Sequence, residues 1–176
     1  QGHGCDPKKQ RNTIVIVRDP IDRFCSAFRH SIQHYGTINP YVVKLIALGI
    51  TTPGQFATIM ADPTHTNHCS VWNLLKNTAH RIGNRFLELK WTYTPQTEWI
   101  HDPVCVILFE KMNEEFNLLT KRLGYAQIDM PRINSTKKLV DDLSDENIRY
   151  LKEFYKADVE MYQKYQSMSF DERCLI

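Results

Sequence analysis

The run Thr13-Ile14-Val15-Ile16-Val17, closed by Arg18-Asp19-Pro20, constrains this chain more than any other stretch. Five β-branched residues in a row fit a strand buried on both faces, which is how strands of parallel sheets read. Pro20 has no N–H to leave unsatisfied in a first helical turn, and the Asp19 carboxylate can cap that turn, so a helix is expected to start here. It is expected to run to about Tyr35, before Gly36, with Ile21, Phe24, Cys25, Phe28 and Ile32 on its apolar face and Asp22, Ser26, Arg29 and Gln33 on its polar one. A second apolar run, Val104 to Phe109, is followed by Glu110 and then by Phe116, Leu119 and Leu123 at helical spacing as far as Gly124. Repeated strand-then-helix order predicts an α/β fold, a parallel sheet flanked by helices, with the two runs side by side or one strand apart.

Between these runs, Gly36 to about Pro103 reads as helices and loops rather than strands. Thr52-Pro53-Gly54-Gln55 has the form of a capping box with Phe56 and Ile59 facing inward, and an amphipathic piece is expected over about Val71 to Leu89. Near the end, Ser144 should cap a helix that carries a Leu143–Ile148 staple and points Leu151, Phe154, Tyr155, Val159 and Tyr162 inward. The 176 residues suit a single domain over 1–176, and 42% hydrophobic with 24% charged residues is globular composition. A net charge of +2 argues against a general nucleic-acid binder, so any anion site must be local. The apolar runs fall short of the roughly 18 to 20 residues of a membrane helix, and no signal-like segment opens the sequence. Among five cysteines, Cys25 and Cys105 lie in apolar runs and are expected to be buried thiols; the odd count leaves the redox compartment open.

Arg18 falls at the carboxyl end of a strand and Ser26 two turns into the next helix, where open α/β sheets take their ligands. A guanidinium fork and a hydroxyl suit a phosphate. The same residues also fit an Arg18–Asp19 ion pair beside a solvated Ser26. His65, His68, Cys69 and His80 match no common zinc spacing and read as a polar loop. Cys25 with His30 or His34 reads as core rather than as a nucleophile, while Trp91, Tyr93 and Trp99 fit either sugar stacking or core packing.

The segment Ile14 to Phe28 resembles the 3′-phosphate-binding segment of the sulfotransferases that use PAPS (3′-phosphoadenosine 5′-phosphosulfate), in particular the Golgi carbohydrate type: an apolar strand, Val-Arg-Asp/Glu-Pro, two residues, Arg, two residues, Ser. Three further pieces follow in that family's order. Pro95-Gln96-Thr97-Glu98-Trp99-Ile100 resembles its Pro-Gln segment, and Val106 to Gly124 its strand, acidic residue and helix. Asn134-Ser135-Thr136 through Ser144, Tyr155 and Asp158 resembles its closing loop and Tyr-x-x-Asp helix. The resemblance implies a sulfotransferase (P-loop-like) fold and transfer of a sulfuryl group from PAPS to a hydroxyl of a carbohydrate or similar acceptor. It places Arg18 and Ser26 on the 3′-phosphate and Asn134, Lys137 and Lys138 near the adenosine side. Arg23 either supports Ser26 or pairs with Asp19. The acceptor hydroxyl must lose its proton to a base as it attacks sulfur. His3 is the candidate, since some uronyl-type members carry His-Gly-His before this strand.

The chain also departs from the pattern. The family's phosphosulfate loop, of Lys-x-Gly/Ala-Cys/Ser-Thr-Ser type, precedes the matched segment, and only 12 residues stand before Thr13. The expectation is a fold whose N-terminal strand and loop are missing from this chain, completed by an upstream segment or a partner chain. Its sheet would expose an edge and an apolar face, and residues 1–176 alone would not catalyse transfer. The rival expectation is a non-catalytic sulfotransferase-like binding or structural module in a larger assembly. Location would be the Golgi lumen for an N-terminally anchored eukaryotic protein, otherwise the cytoplasm or an assembly.

Overall fold

The computed structural model describes residues 13–35, 39–76, 81–82, 85–86, 93–127 and 142–176. They divide into two compact units: 13–20, 95–127 and 155–176 form the first, and 21–94 with 142–154, where described, the second.

The first unit is built on strands β1 (Ile14–Val17) and β4 (Cys105–Leu108), which pair in parallel with Ile14 opposite Cys105 and Val17 opposite Leu108. The two apolar runs are therefore neighbours, as their sequences predict. Every residue of β4 is buried, and its alternation sends side chains into two layers. Val106 and Leu108 pack with Val17 and with Tyr162 of helix α7 (Lys156–Ser167). Cys105 and Ile107 pack with Leu119 of α5 (Met112–Arg122) and with Cys174, just after α8 (Phe170–Arg173). β1 departs from the expected burial on both faces: Ile14 and Ile16 are 45% and 49% exposed. They stand beside Cys105 and Ile107, and α5 and α8 are packed on β4. A β-branched run specifies extended backbone; it does not specify what covers each face.

Cys105 is not a thiol. It forms a disulfide with Cys174, and both residues are buried. The C-terminal residues run antiparallel along β4 there, with the Leu175 N–H donating to the Val104 carbonyl at 2.8 Å. Beneath them lies a buried ion pair: Arg173 donates to both carboxylate oxygens of Glu115, at 3.0 and 2.5 Å, and to the Val106 carbonyl at 2.9 Å. The second lone-pair set of Glu115 accepts the Leu108 N–H at 2.8 Å. α5 ends at Gly124 with φ +77°, as its C′ glycine predicts, but Leu123 is exposed rather than inward.

In the second unit, α1 (Pro20–Tyr35) begins at Pro20 and buries Phe24, Cys25 and Phe28, with Phe24 and Phe28 ring-packed on Phe56. Tyr93 joins that cluster and is 4% exposed, so of the two expectations for it, core packing holds. Arg29, expected on the polar face, is buried. α2 (Pro40–Ala47) is capped by Asn39, and α3 (Pro53–Ala61) by the expected Thr52–Gln55 box. Asp142 reinforces that start, accepting the Thr52 hydroxyl at 2.5 Å and the Gly54 N–H at 2.9 Å. A side chain at position 54 would put Cβ 2.4 Å from the Asp142 carbonyl oxygen, so only glycine fits. α6 (Asp145–Phe154) is capped by Ser144, whose hydroxyl accepts the Asn147 N–H. Tyr150 of α6 donates to the Met60 carbonyl at 3.1 Å, and burial pushes its phenol above the usual value.

Two expectations fail here. The stretch Val71 to Leu89 is not one helix: α4 (His68–Lys76) stops, and β2 (Arg81–Ile82) pairs antiparallel with β3 (Arg85–Phe86). The closing helix is likewise two, α6 and α7, separated at Tyr155 (φ −101°, ψ 28°). Apolar spacing on either side of a one-residue break is unchanged, so periodicity cannot reveal it. No described helix is long and apolar enough to cross a membrane.

Candidate functional site

In the first unit, the backbone at the carboxyl end of β1 is held by two side chains, Gln96 and Glu110. The Gln96 side chain brackets Arg18, its Oε1 accepting the Arg18 N–H at 3.1 Å and its Nε2 donating to the Arg18 carbonyl at 2.8 Å. One residue on, the Asp19 N–H donates to Glu110 Oε1 at 3.2 Å. The Arg18 guanidinium carbon lies 4.3 Å over the centroid of the Phe109 ring, a distance at which the cation meets the ring's negative face. Phe109 and Glu110 directly follow β4, so the parallel pairing of β1 and β4 brings both chain exits to the same end of the sheet. That end is where open parallel sheets bind ligands.

Gln96 is itself held. It opens a short 3-10 turn (Gln96–Glu98), and its N–H donates to Asp158 Oδ2 at 2.6 Å. Asp158 Oδ1 accepts the Thr97 N–H at 2.8 Å and the Thr97 hydroxyl at 2.9 Å. Asp158 is 0% exposed, in the first turn of α7. A fully buried carboxylate is tolerable only when donors compensate its lost hydration, and these three do so. The chain of contacts Asp158, Gln96, Arg18, Phe109 thus joins the Arg-Asp-Pro strand end, the Pro-Gln segment, the residues after the second strand and the Tyr-x-x-Asp helix.

The second unit carries the other described candidates. Ser26 is half-buried on α1. Arg23 donates from Nη2 to the Thr94 carbonyl at 2.7 Å, a contact that neither of its expected roles named. His3, Asn134, Lys137 and Lys138 lie outside the described residues, as do His80 and Trp91. Among the described residues no cluster of three or more His, Cys, Asp or Glu could hold a metal ion. The His68 ring lies 2.8 Å from the Ile59 carbonyl, and the His65 ring accepts the Asn67 N–H, which makes both helix-start and loop contacts. Cys25 is buried and Trp99 exposed.

Residue-by-residue reading found Arg18 and missed what holds it. Gln96 and Asp158 stand inside matching segments without an assigned role; it is their burial in the fold that demands partners for their polar side chains. Phe109 reads as the last residue of an apolar strand, yet it is 41% exposed.

Arg18 fits a phosphate ligand chemically: it is a permanent cation on a fixed backbone at the ligand end of a parallel sheet. No curated protein and no solved structure matches the chain. The family model described as the sulfotransferase family matches residues 6–166, nearly the whole sequence, and the chain therefore belongs to the sulfotransferase family.

Proposed function

We propose that this protein transfers the sulfuryl group of PAPS to a hydroxyl of a carbohydrate or similar acceptor. Sulfuryl transfer follows from the family; the donor and the acceptor class are the proposal. In this reading Arg18 and Ser26 contact the 3′-phosphate, with Arg23 in support, and Asn134, Lys137 and Lys138 serve the adenosine side. The acceptor oxygen forms a bond to sulfur as the bond from sulfur to the 5′-phosphate oxygen breaks. The hydroxyl proton passes to a base, for which His3 is the candidate, and 3′-phosphoadenosine 5′-phosphate (PAP) leaves.

The observation that carries the reading is the fixed Arg18, bracketed through its backbone by Gln96. A phosphate site gains from a cation whose backbone is already set when the ligand arrives, because less freedom is lost on binding. The test is calorimetry with PAP and with adenosine 5′-phosphate. PAP should bind more tightly, and Arg18→Ala should weaken PAP by about 2 kcal/mol or more through loss of a charge-assisted contact. Equal affinity for the two nucleotides in the unsubstituted protein would sink the assignment.

A further inference from the structure

We propose that a groove in the second unit, between the starts of α3 and α6, binds a neutral saccharide unit. The inference stands apart from the reading of Arg18 and does not rest on it.

The groove measures about 360 Å3, and Gln55, Thr58, His65, Asp142 and Ser144 line it, with Ile59 as an apolar wall. Four of these side chains are held in the same sense. Gln55 Oε1 accepts the N–H groups of Thr51 and Thr52, at 2.8 and 3.2 Å, and the Thr51 hydroxyl at 3.3 Å, which leaves the Nε2 group as the one it can offer. The Thr58 hydroxyl oxygen accepts from Asn147 Nδ2 at 2.9 Å, and the Ser144 hydroxyl oxygen accepts the Asn147 N–H at 3.1 Å, so each hydroxyl retains its proton to donate. His65 Nδ1 accepts the Asn67 N–H at 3.0 Å, which makes the ring neutral with its proton on Nε2. Among the described residues none accepts from these four donors.

Four donors anchored through their acceptor atoms are already ordered, so a ligand that brings acceptors costs little side-chain freedom on binding. The surplus of donors calls for an oxygen-rich ligand. Charge decides which kind. No cation lines the groove, and its one formal charge is the Asp142 carboxylate, which takes the Thr52 hydroxyl and the Gly54 N–H. A phosphate, sulfate or uronate would meet that carboxylate as a like charge. A neutral sugar would not: its hydroxyl oxygens accept from the four donors, and one of its hydroxyls can donate to a remaining lone pair of Asp142. Ile59 gives the C–H face of such a ring an apolar surface, and the volume is that of a small-ligand site.

The experiment titrates the isotope-labelled full chain with maltotriose, cellotriose and N-acetyllactosamine, and with trigalacturonic acid as the charged counterpart, reading backbone amide shifts by NMR. At least one neutral saccharide should bind in about the millimolar range, with shifts confined to the groove residues and their neighbours, and the uronate should bind more weakly. Gln55→Glu keeps the acceptor of the Thr52 capping box, where glutamate serves as well as glutamine, and replaces the donor with a second oxygen. It should weaken the saccharide about tenfold, and His65→Phe about fivefold, through loss of one hydrogen bond each. The spectrum of each variant without saccharide reports whether it has folded. A groove silent to all three neutral saccharides, or shifts that fall elsewhere, would overturn the proposal. So would folded Gln55→Glu and His65→Phe proteins that bind as tightly as the unsubstituted chain. Trigalacturonic acid binding as tightly as the neutral saccharides would also overturn it, by assigning the groove to anions.

Discussion

Asp158→Asn is a nearly isosteric change, and the geometry of its site makes it a severe one. The two carboxylate oxygens of Asp158 serve different donors: Oδ2 accepts the Gln96 N–H at 2.6 Å, and Oδ1 accepts the Thr97 N–H and hydroxyl at 2.8 and 2.9 Å. An asparagine offers one acceptor oxygen and one NH2, so a backbone N–H must face another donor in either orientation. With the amide oxygen toward Thr97, the Gln96 N–H is orphaned; Gln96 is only 9% exposed, so water cannot readily replace the lost acceptor. Losing a charge-assisted bond and leaving that group unsatisfied costs about 2 to 4 kcal/mol. Thr97 is half-buried and partly rehydrates, so the opposite orientation costs somewhat less and the side chain will choose it. We therefore expect Asp158→Asn to lose about 2 kcal/mol or more, close to the loss for Asp158→Ala, in urea denaturation followed by circular dichroism with an unchanged m-value. Because Gln96 brackets Arg18, the same variant should also weaken PAP. An Asp158→Asn protein within about 0.5 kcal/mol of wild type would refute the requirement for two acceptors, since ordinary surface substitutions fall in that range.

Two further outcomes follow from the other side of β4. Arg173→Met should destabilise by about 3 to 5 kcal/mol by leaving the Glu115 carboxylate buried without its cation, and the Arg173→Met/Glu115→Leu double variant should cost clearly less than the sum of the two single changes; additive costs in the same denaturation assay would contradict a coupled pair. Cys174→Ser, or reduction of the wild type, should lower stability by up to about 4 kcal/mol, the loop-entropy value for a crosslink spanning 69 residues, and a denaturation midpoint indifferent to reductant would argue that the buried packing around Cys105, and not the covalent bond, holds the C-terminal residues against β4.

How far the sequence could be read depended on the range of the interaction. Elements set by neighbours along the chain were legible. Pro20 opens α1, Thr52 and Gln55 form their box, Ser144 caps α6, and Gly124 closes α5 with a positive φ. The two apolar runs even predicted their parallel pairing. What failed required knowledge of the far side. Ile14 and Ile16 differ in no local respect from Val17, yet only Val17 meets α7 and is fully buried. Arg29 sits at a polar position of the helical wheel and is buried all the same. The partner of Cys105 lies near the C-terminus, and widely spaced cysteines do not declare their pairing.

The same limit applied to the candidate site. Arg18 could be singled out because a strand end followed by a capped helix is a local pattern. Gln96 is 78 residues from the Arg18 it holds, and Asp158 is 62 residues from Gln96, so no spacing rule connects them. A resemblance supplied the segments in order without saying why a glutamine after a proline, and an aspartate three residues after a tyrosine, should accompany an arginine at a strand end. The contacts give the reason. A long cationic side chain at the rim of a sheet is aimed first by its own backbone, and a buried carboxylate can set that backbone only through an intermediary that reaches it. Gln96 is that intermediary: its own N–H is tied to Asp158, which aims its side-chain amide, and the amide in turn can match both the N–H and the carbonyl of Arg18. A glutamate in its place would present no donor to the Arg18 carbonyl and a leucine neither group, so the identity of residue 96 is dictated by the backbone of residue 18.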